Sequence, residues 1–346
     1  MVLQLKEIVH TTADSTTLRF KASKVIELYR PGQHGILLFS IDGQKFTRTY
    51  SFHTVSDLDS DPAITVRTIT NGVVSNHLKN SNTTNLHVEL IKVTGDFFIQ
   101  PSVQKARHVV MFAGGSGITP LAAMCKAILF QEPGSIVSLV YSNRSSESII
   151  LKDELSALEN EFSSRFKIYH VLTDGTDSAE TVPVFFKGRL SKLIVRKLIK
   201  GLTDEREKEF YLCGPRGFME MTEDALRSLA VPVEQVFKET FFDDSKEAFD
   251  FNNLPERKIV FQTSRGFRHV LVESGKSLLQ AGLENGLALK YSCRQGQCGT
   301  CQATLLQGEV KLKQNYILTS EELKAGQTLL CQSFPVSDDV MIRIDA

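Results

Sequence analysis

The spacing of four cysteines near the C-terminus constrains this chain more than any other feature. Cys293, Cys298 and Cys301 follow the pattern C-x4-C-x2-C, and Cys331 comes thirty residues later. At this spacing four thiolates hold the two irons of a plant-type 2Fe–2S cluster. We therefore predict a cluster with these four ligands. Because such a cluster moves one electron at a time, the rest of the chain is expected to supply or consume electrons.

Two other interpretations of the cysteines stay open at this point. A zinc site usually pairs its ligands in two short C-x2-C turns, and the chain has one such pair, Cys298 and Cys301. Disulfides are the second alternative, and they are rare in cytosolic proteins. Gly296 and Gly299 favour the cluster, because they let the backbone fold over it and direct N–H groups at its sulfurs.

Composition and charge are those of an ordinary globular protein. The 346 residues predict two or three domains, and 40 basic residues balance 40 acidic ones, so nothing indicates a nucleic-acid partner. No apolar run has the length of a membrane span, and the N-terminus lacks the apolar core of a signal peptide, so we expect a cytoplasmic protein. Cys125 and Cys213 are then expected as free thiols.

Hydrophobic patterning divides the chain into three domains and a linker. Residues 1–102 show short strands between turn signals, which is typical of an antiparallel β-barrel. Residues 103–242 alternate apolar strands with helical patterns, which predicts an α/β domain with a parallel sheet. Residues 243–256 are polar and are interpreted as a linker. Residues 257–346 carry the cysteine pattern and, at Thr319, a helix-capping sequence.

A four-residue run in the first domain has the side chains of a flavin site. It reads Arg48-Thr49-Tyr50-Ser51, and strand alternation places Arg48 and Tyr50 on one face and Ser51 on the other. Arginine binds a pyrophosphate through two hydrogen bonds, and tyrosine stacks on a flat ring. The run by itself also fits an ordinary edge strand.

A glycine turn downstream strengthens the flavin interpretation. It consists of Gly72, Val73, Val74 and Ser75 and leads into an apolar helical stretch. Helix N-termini attract anions, although the same sequence fits a plain loop-to-helix junction. Because the two motifs occur in order before an α/β domain, together they predict bound FAD.

A second glycine-rich turn follows the first strand of the α/β domain. Its residues are Gly114, Gly115, Ser116, Gly117, Thr119 and Pro120. Glycines allow a pyrophosphate to approach the backbone, and proline suits a first helical turn. Proline replaces the third glycine of the dinucleotide fingerprint and there is no Walker lysine, so we predict a nucleotide-binding turn of another subtype. A purely structural turn is the alternative.

Two other strand ends complete the predicted nucleotide site. Cys213, Gly214 and Pro215 follow the fourth predicted strand, at the edge where parallel sheets bind ligands. Cys213 lies there either against the reacting ring or as a packing thiol. Ser142 and Arg144 follow the second strand, where no Asp or Glu is present to select a free 2′-hydroxyl. They favour NADPH over NADH, although Arg144 also fits a solvated surface position.

Taken together, these motifs resemble the ferredoxin–NADP reductase superfamily with a C-terminal plant-type ferredoxin domain. The resemblance covers nearly the whole chain and is strongest to reductase components of multicomponent oxygenases, particularly the phenylacetyl-CoA epoxidase type. It implies FAD on the barrel, NADPH or NADH on the α/β domain, and an α+β domain of the β-grasp type around the 2Fe–2S cluster. Electrons would leave through the cluster to an acceptor protein, most simply an oxygenase component.

The resemblance also implies roles for individual residues. Cys293 and Cys298 would hold one iron, and Cys301 and Cys331 the other. Val66 and Arg67 would line the flavin, and Cys213, Glu239 and Phe241 would be the catalytic candidates near the reacting rings. One departure is the turn Lys92-Val-Thr-Gly95-Asp-Phe97, which matches the family's Gly-Pro-x-Gly-x-Phe only at the last glycine and the phenylalanine.

Other functions remain compatible with these motifs. The chain could reduce another soluble redox protein, such as a hybrid-cluster or nitric-oxide-handling partner. A non-catalytic iron–sulfur redox sensor would retain a degenerate reductase body, and two intact nucleotide turns disfavour it. From Arg257 onward the chain has eleven Arg/Lys and eight Asp/Glu, a net charge of +3. A tethered ferredoxin needs no long-range steering to its own reductase, so the docking face for the acceptor could be neutral or basic.

Overall fold

The computed structural model of the chain describes residues 1–21, 29–81, 86–174, 182–241, 250–296 and 298–344. Its strands form an antiparallel unit, then a parallel sheet, then a mixed C-terminal sheet with a short two-stranded sheet beside it. This architecture confirms the multi-domain fold class predicted from the sequence. Across the described ranges, no helix is both long and apolar enough to cross a bilayer.

The N-terminal unit is a small barrel made of two antiparallel sheets. Its elements are β1 (Val2–Leu3), β2 (Leu5–Thr12), β3 (Ser15–Phe20), β4 (His34–Ile41), β5 (Gln44–Ser51), β6 (Ala63–Arg67), α1 (Val73–Asn80) and β7 (His87–Thr94). One sheet has the order β1-β7-β4-β5, the other has the order β2-β3-β6, and an isolated bridge between Phe52 and Ile64 joins them. Leu18, Phe39 and Val88 are fully buried between the sheets, because each strand turns alternate side chains toward the core.

The middle unit is a six-stranded parallel sheet with helices on both faces. Its elements are β8 (His108–Gly114), α2 (Ile118–Gln131), β9 (Ile136–Asn143), α3 (Lys152–Glu161), β10 (Phe166–Leu172), β11 (Val184–Lys187), α4 (Lys192–Gly201), β12 (Lys208–Cys213), α5 (Arg216–Arg227) and β13 (Val236–Glu239). The strand order is β11-β10-β9-β8-β12-β13. The chain winds outward in opposite directions from β8, so the carboxyl ends of β8 and β12 border the crevice where such sheets bind ligands.

Two apolar cores hold this sheet between its helices. Side chains of α2 and α3 pack on one face, around Met111 and Leu139. Side chains of α4 and α5 pack on the other face, around Val110 and Phe210. All seven residues of β8 are buried, as expected for a central strand covered on both sides. Strand β11 was not among the predicted strands, because it has only four residues, at the sheet edge directly after Pro183.

The C-terminal unit is a β-grasp sheet with a helix packed on it. Its elements are β14 (Arg257–Thr263), β15 (Gly266–Val272), α6 (Leu278–Glu284), β16 (Gln302–Gln307), β17 (Val310–Leu312), α7 (Ser320–Lys324), β18 (Gln327–Leu329), β19 (Ser333–Pro335) and β20 (Met341–Arg343). The sheet order is β15-β14-β20-β16-β18, with β14 and β20 parallel. The predicted capping box is confirmed: the Glu322 N–H donates to the Thr319 hydroxyl at 3.2 Å, and the Glu322 carboxylate accepts from the Thr319 N–H at 2.8 Å.

The C-terminal unit rests directly on the barrel. Lys92 at the end of β7 pairs with Glu322 at 2.8 Å, and the Ser320 N–H donates to Asp96 at 2.9 Å. Ile36 of β4 is fully buried within the apolar core of the C-terminal unit. These contacts fix the cysteine-bearing unit against the outer face of the sheet that contains β4 and β5.

The predicted linker falls only partly within the described ranges. Residues 243–249 lie outside the described residues. From residue 250 the chain is attached to the C-terminal unit, since the Phe251 ring is buried and packs on Phe334 with ring centroids 4.7 Å apart.

Candidate functional site

The two glycine-bearing turns of the parallel sheet pack against each other backbone to backbone. A Cβ on Gly117 would lie 2.1 Å from the Cys213 carbonyl oxygen, and a Cβ on Gly114 would lie 2.7 Å from Pro215 Cδ. A Cβ on Gly214 would lie 3.0 Å from the Gly114 backbone. Larger residues would therefore push the turns apart. The turns after β8 and β12 thus form one cradle at the crevice of the sheet.

Helix α2 begins directly behind this cradle. A single 3-10 turn, Gly115–Gly117, leads into it, and no side chain caps its first N–H groups. The Thr119 hydroxyl instead donates to the Ser116 carbonyl at 3.1 Å, and Pro120 has no N–H to satisfy. The uncapped N–H groups at the start of α2 can bind an anion, and the glycines before them let it approach the backbone. Both features fit a pyrophosphate, the ligand group expected from the sequence motif.

The predicted ribose end of the nucleotide site lies at the end of β9. Ser142 is half-buried and Arg144 is exposed, and the Arg144 carbonyl accepts from the Asp174 N–H at 2.8 Å. Asn143 between them was not predicted as a site residue. Its side chain is buried, and its Nδ2 has no hydrogen-bond partner among the described residues. A buried donor without a partner at a ligand-binding edge fits a polar ligand group.

The flavin run forms the second half of β5, next to β4. Arg48, Thr49 and Tyr50 are half-buried and Ser51 is buried. The Arg48 guanidinium donates to the Thr47 carbonyl at 2.7 Å. The Tyr50 ring meets the ring of Phe39 edge-on, with centroids 6.1 Å apart, and burial raises the pKa of its hydroxyl. An arginine and a neutral tyrosine on one face of the strand fit the phosphates and ring of a flavin nucleotide.

The turn before α1 leaves no space for a side chain at position 72, which is Gly72. A Cβ there would lie 2.5 Å from the Ser75 hydroxyl and equally close to the Ile69 side chain. The Ser75 hydroxyl donates to the Gly72 carbonyl at 3.3 Å, and no side chain caps the helix start. Val73 is exposed, whereas Val74 is buried in the barrel core. The first N–H groups of α1 are therefore free to bind an anion.

Arg67 joins the barrel to the nucleotide cradle. It ends β6 after the buried Val66, and its Nε donates to Asp14 at 3.0 Å. A Cβ on Gly115, which has a φ of +54°, would lie 2.7 Å from Arg67 Nη1. The end of β6 thus adjoins the nucleotide cradle and places there a guanidinium that can neutralise phosphate charge.

The catalytic candidates meet where the barrel and the parallel sheet touch. Cys213 and Glu239 are directly paired neighbours at the ends of β12 and β13. Burial, and secondarily the Glu239 carboxylate, raises the pKa of the Cys213 thiol. Phe241 packs against the core formed by α2 and β8. The structure therefore brings all three candidates to the same end of the sheet.

His34 is a further residue of this junction that sequence reasoning missed. It begins β4, where it pairs with Ser51 and Thr94. Its Nδ1 lies 3.4 Å from a Glu239 carboxylate oxygen, across the boundary between barrel and parallel sheet. Within the described residues, the His34 Nε2 and the other Glu239 oxygen are both buried without a hydrogen-bond partner. These two buried polar atoms lie beside Ser51 and Cys213. A ligand ring with hydrogen-bonding groups of its own could supply the partners that they lack.

The four predicted cluster ligands lie in two contacting pairs. A hydrogen bond from Cys293 lowers the pKa of the Cys298 thiol to about 4, and one from Cys301 lowers that of Cys331 to about 7. Cys301 and Cys331 are buried, whereas Cys293 and Cys298 are half-buried. The described residues contain no group of three or more His, Cys, Asp or Glu arranged to hold a single metal ion. Two thiols per iron is the arrangement a two-iron cluster requires.

The loop that carries these thiols is shaped for a cluster. Gly296 and Gly299 have φ values of +72° and +69°, and a Cβ on Gly296 would lie 2.7 Å from the Gln314 carbonyl. The Gln295 N–H points at the Cys293 sulfur at 3.4 Å and the Cys293 N–H at the Cys298 sulfur at 3.5 Å. Backbone N–H groups directed at thiolates stabilise their charge, so the loop fits the predicted group.

A flavin barrel, a nucleotide-binding parallel sheet and a cysteine-loop β-grasp unit in one chain define a modular electron-transfer reductase. Three family models match in the same order: the oxidoreductase FAD-binding domain over residues 2–98, the oxidoreductase NAD-binding domain over 111–224, and the 2Fe-2S iron-sulfur cluster binding domain over 263–336. These matches supply the three cofactor classes that the sequence predicted.

Relatives match over almost their whole length. The chain is 29% identical to a component of the 1,2-phenylacetyl-CoA epoxidase of Escherichia coli K12, covering 99% of this chain and 97% of the relative. It is 30% identical to the ferredoxin reductase component of 3-ketosteroid-9-alpha-monooxygenase of Mycobacterium tuberculosis H37Rv, covering 99% and 95%. In fold it resembles phthalate dioxygenase reductase, with a TM-score of 0.55 at 21% identity over 99% and 98% of the two chains.

The chain belongs to the ferredoxin–NADP reductase superfamily, in the branch with a C-terminal 2Fe–2S ferredoxin domain. It is an NAD(P)H-dependent oxidoreductase that uses FAD and a 2Fe–2S cluster, and it passes electrons from the nicotinamide through both groups. The sequence predictions of superfamily, enzyme class and cofactors are confirmed.

Proposed function

We propose that this chain is the reductase component of an oxygenase system and delivers electrons from NADPH to a separate oxygenase protein. The observation that carries the proposal is the junction at which Ser51, His34, Glu239 and Cys213 meet, because there the barrel and the nucleotide cradle face each other. The relatives indicate the class of the acceptor. Two of them match this chain over nearly its full length and are named as parts of an epoxidase and a monooxygenase.

On the barrel, we assign FAD to β5, β6 and the start of α1. Arg48 and Arg67 would neutralise its phosphates, Tyr50 would contact its ring, and Thr49 and Ser51 would offer hydrogen bonds to the polar edge of that ring. Val66 borders the ring, and the turn of Gly72, Val73, Val74 and Ser75 offers N–H groups to the pyrophosphate. FAD, when bound, supplies the conversion of an electron pair into single electrons.

On the parallel sheet, we assign the dinucleotide to the cradle after β8 and β12. Its pyrophosphate occupies the backbone surface of Gly114, Gly115, Ser116 and Gly117, with Thr119 closing the first turn of α2. Gly214 and Pro215 form the opposite wall. Ser142 and Arg144 receive a 2′-phosphate, which is why we favour NADPH, and the free Nδ2 of Asn143 offers a donor to the ribose.

At the junction, Cys213, Glu239 and Phe241 border the position where the two rings meet. The raised pKa keeps the Cys213 thiol neutral, so it contacts a ring without adding charge. His34 acts as a positioning residue: it holds the Glu239 carboxylate across the domain boundary at 3.4 Å. Phe241 shields the site from water on the side of the α2 core.

In the C-terminal unit, we assign one iron to Cys293 and Cys298 and the other to Cys301 and Cys331. The buried pair shares an apolar core with Ile317, whose backbone carbonyl accepts from the Thr94 hydroxyl of the barrel at 3.5 Å. The half-buried pair faces outward. This arrangement supports entry of electrons from the barrel side and exit on the exposed side. We propose domain limits of 1–102, 103–242 and 257–346, joined by the segment 243–256.

Reconstitution tests the proposal. The purified chain, loaded with FAD and iron, is mixed with NADPH and the oxygenase component of a phenylacetyl-CoA epoxidase, and product is measured against NADPH consumed. We expect product formation to require this chain. Faster reduction of a hybrid-cluster or nitric-oxide-handling protein than of any oxygenase would contradict the assignment of the acceptor. Absence of NADPH oxidation by any acceptor, with both cofactors bound, would favour a redox sensor instead.

A further inference from the structure

The surface around the half-buried cysteine pair is basic. Four described stretches of chain surround the cysteine loop: residues 285–296, 298–308, 310–320 and 325–337. None of them contains an Asp or Glu. They contribute the exposed cations Lys290, Arg294 and Lys313, together with Lys311.

Hydrogen bonds to backbone carbonyls hold these segments together as one surface. The Gln332 side chain donates to the Arg294 carbonyl at 2.8 Å, and the Lys313 N–H donates to the Gln332 carbonyl at 2.7 Å. The Tyr316 N–H donates to the Gly296 carbonyl at 3.0 Å. Lys313 and Arg294 therefore lie on neighbouring stretches of chain beside Cys293, although they are distant in sequence.

The centre of this surface is ordered before any partner arrives. Arg294 adopts a left-handed backbone conformation, with a φ of +55°, and its guanidinium stacks over the Tyr291 ring at 4.4 Å from the centroid. Tyr291 is 40% exposed. Exposed tyrosine and arginine that are already fixed in place are typical of the energetic centre of a protein interface.

Four carboxylates of the C-terminal unit form ion pairs away from the cysteine loop. Glu273 and Glu284 pair with Lys276 at 2.8 Å and 2.6 Å. Glu322 pairs with Lys92 of the barrel, and Asp338 pairs with Arg257. In contrast, no described carboxylate lies within ion-pair distance of Lys290, Arg294 or Lys313. Lys290, Arg294 and Lys313 therefore keep an unneutralised positive charge close to the half-buried cysteine pair.

We propose that Lys290, Tyr291, Arg294 and Lys313, the cluster face, form the docking surface for an acceptor whose own docking surface is rich in carboxylates. The inference rests on the proposed function, since it places the exit of electrons at this face. Complementary charge accelerates encounter and orients the two proteins, and the fixed Tyr291–Arg294 stack supplies the contact at the centre. The acceptor then approaches the half-buried pair, Cys293 and Cys298.

Two heme proteins of opposite charge serve as probes. The soluble domain of cytochrome b5 has a carboxylate-rich surface, and cytochrome c has a lysine-rich one. The reduced holoprotein is mixed with each probe over a range of ionic strength, and the second-order rate constants are measured. Binding of oxidised cytochrome b5 is measured separately by calorimetry, so that affinity is read without turnover.

The decisive variant is Lys290→Glu/Lys313→Glu. We expect its rate with cytochrome b5 to fall roughly tenfold or more at low ionic strength, and its rate with cytochrome c to rise. The calorimetric affinity for cytochrome b5 is expected to fall in parallel. The matched control, Arg196→Glu/Lys197→Glu, makes the same charge change at exposed positions of α4 and is expected to leave both rates within about twofold of wild type.

Three outcomes would overturn the proposal. The first is an equal fall with both probes, which indicates structural damage. The second is an equal effect of the control variant, which indicates net charge alone. The third is a shift of the cluster potential with unchanged affinity for cytochrome b5, which means that the cations tune the cluster. If no probe is reduced although calorimetry shows charge-dependent binding, the proposed electron path fails while the docking surface stands.

Discussion

Replacement of His34 tests whether this residue holds Glu239 in place at the junction. In His34→Leu the Glu239 carboxylate loses its neighbour at 3.4 Å, while its other oxygen is already buried without a partner among the described residues. Loss of a buried polar partner costs about 1–3 kcal/mol. Because 3.4 Å is long for a hydrogen bond, we expect the lower part of that range, about 1–2 kcal/mol, which corresponds to a roughly 5- to 30-fold slower reduction of the flavin.

The assay is anaerobic stopped-flow reduction of the bound flavin by NADPH, with FAD content and thermal stability measured on the same samples. His34→Asn is the matched control, because its amide Nδ2 takes nearly the position of the imidazole Nδ1. We expect His34→Asn to recover most of the rate and His34→Leu to retain normal FAD content. A wild-type rate in His34→Leu, or equally slow reduction in both variants, would refute the role assigned to His34.

Three other changes test the remaining parts of the path. Gly117→Ala places a Cβ 2.1 Å from the Cys213 carbonyl oxygen, so calorimetry should show a loss of about 1–3 kcal/mol of stability and weaker binding of NADPH. The control is Gly217→Ala, where a Cβ meets nothing within 4 Å. It should leave NADPH binding unchanged and stability unchanged or slightly improved. Arg144→Ala should raise the KM for NADPH roughly tenfold or more through loss of a charged hydrogen bond and leave that for NADH nearly unchanged; equal effects would remove the preference for NADPH. Cys298→Ser should abolish reduction of an acceptor protein and lower the iron content, while flavin reduction by NADPH continues; a collapse of flavin reduction as well would contradict the modular path.

The parts of the fold that are encoded locally could be predicted from the sequence. The four helices of the parallel sheet follow from the 3.6-residue spacing of their apolar positions, and the capping box at Thr319 from adjacent residues. The cysteine pattern and both glycine turns are likewise continuous in sequence. In each of these cases the residues that determine the geometry are near neighbours along the chain.

What could not be predicted depends on contacts between distant segments. His34 and Glu239 belong to different domains and lie 239 − 34 = 205 residues apart in sequence. The sequence around His34 shows only an ordinary turn followed by apolar residues. Asn143 was within a predicted strand end, yet its unpartnered amide becomes visible only once the β9 end is folded. The cluster face is similar, because Arg294 and Lys313 become neighbours only through Gln332.

One measurement tests the central claim most directly, namely that this chain alone conducts electrons from the nicotinamide through flavin to the cluster. The reconstituted protein is mixed anaerobically with NADPH, frozen at intervals and studied by electron paramagnetic resonance, with flavin absorbance followed in parallel. We predict that the flavin bleaches first and that the rhombic signal of a reduced 2Fe–2S cluster then grows. A cluster signal that forms with dithionite but never with NADPH would contradict the account.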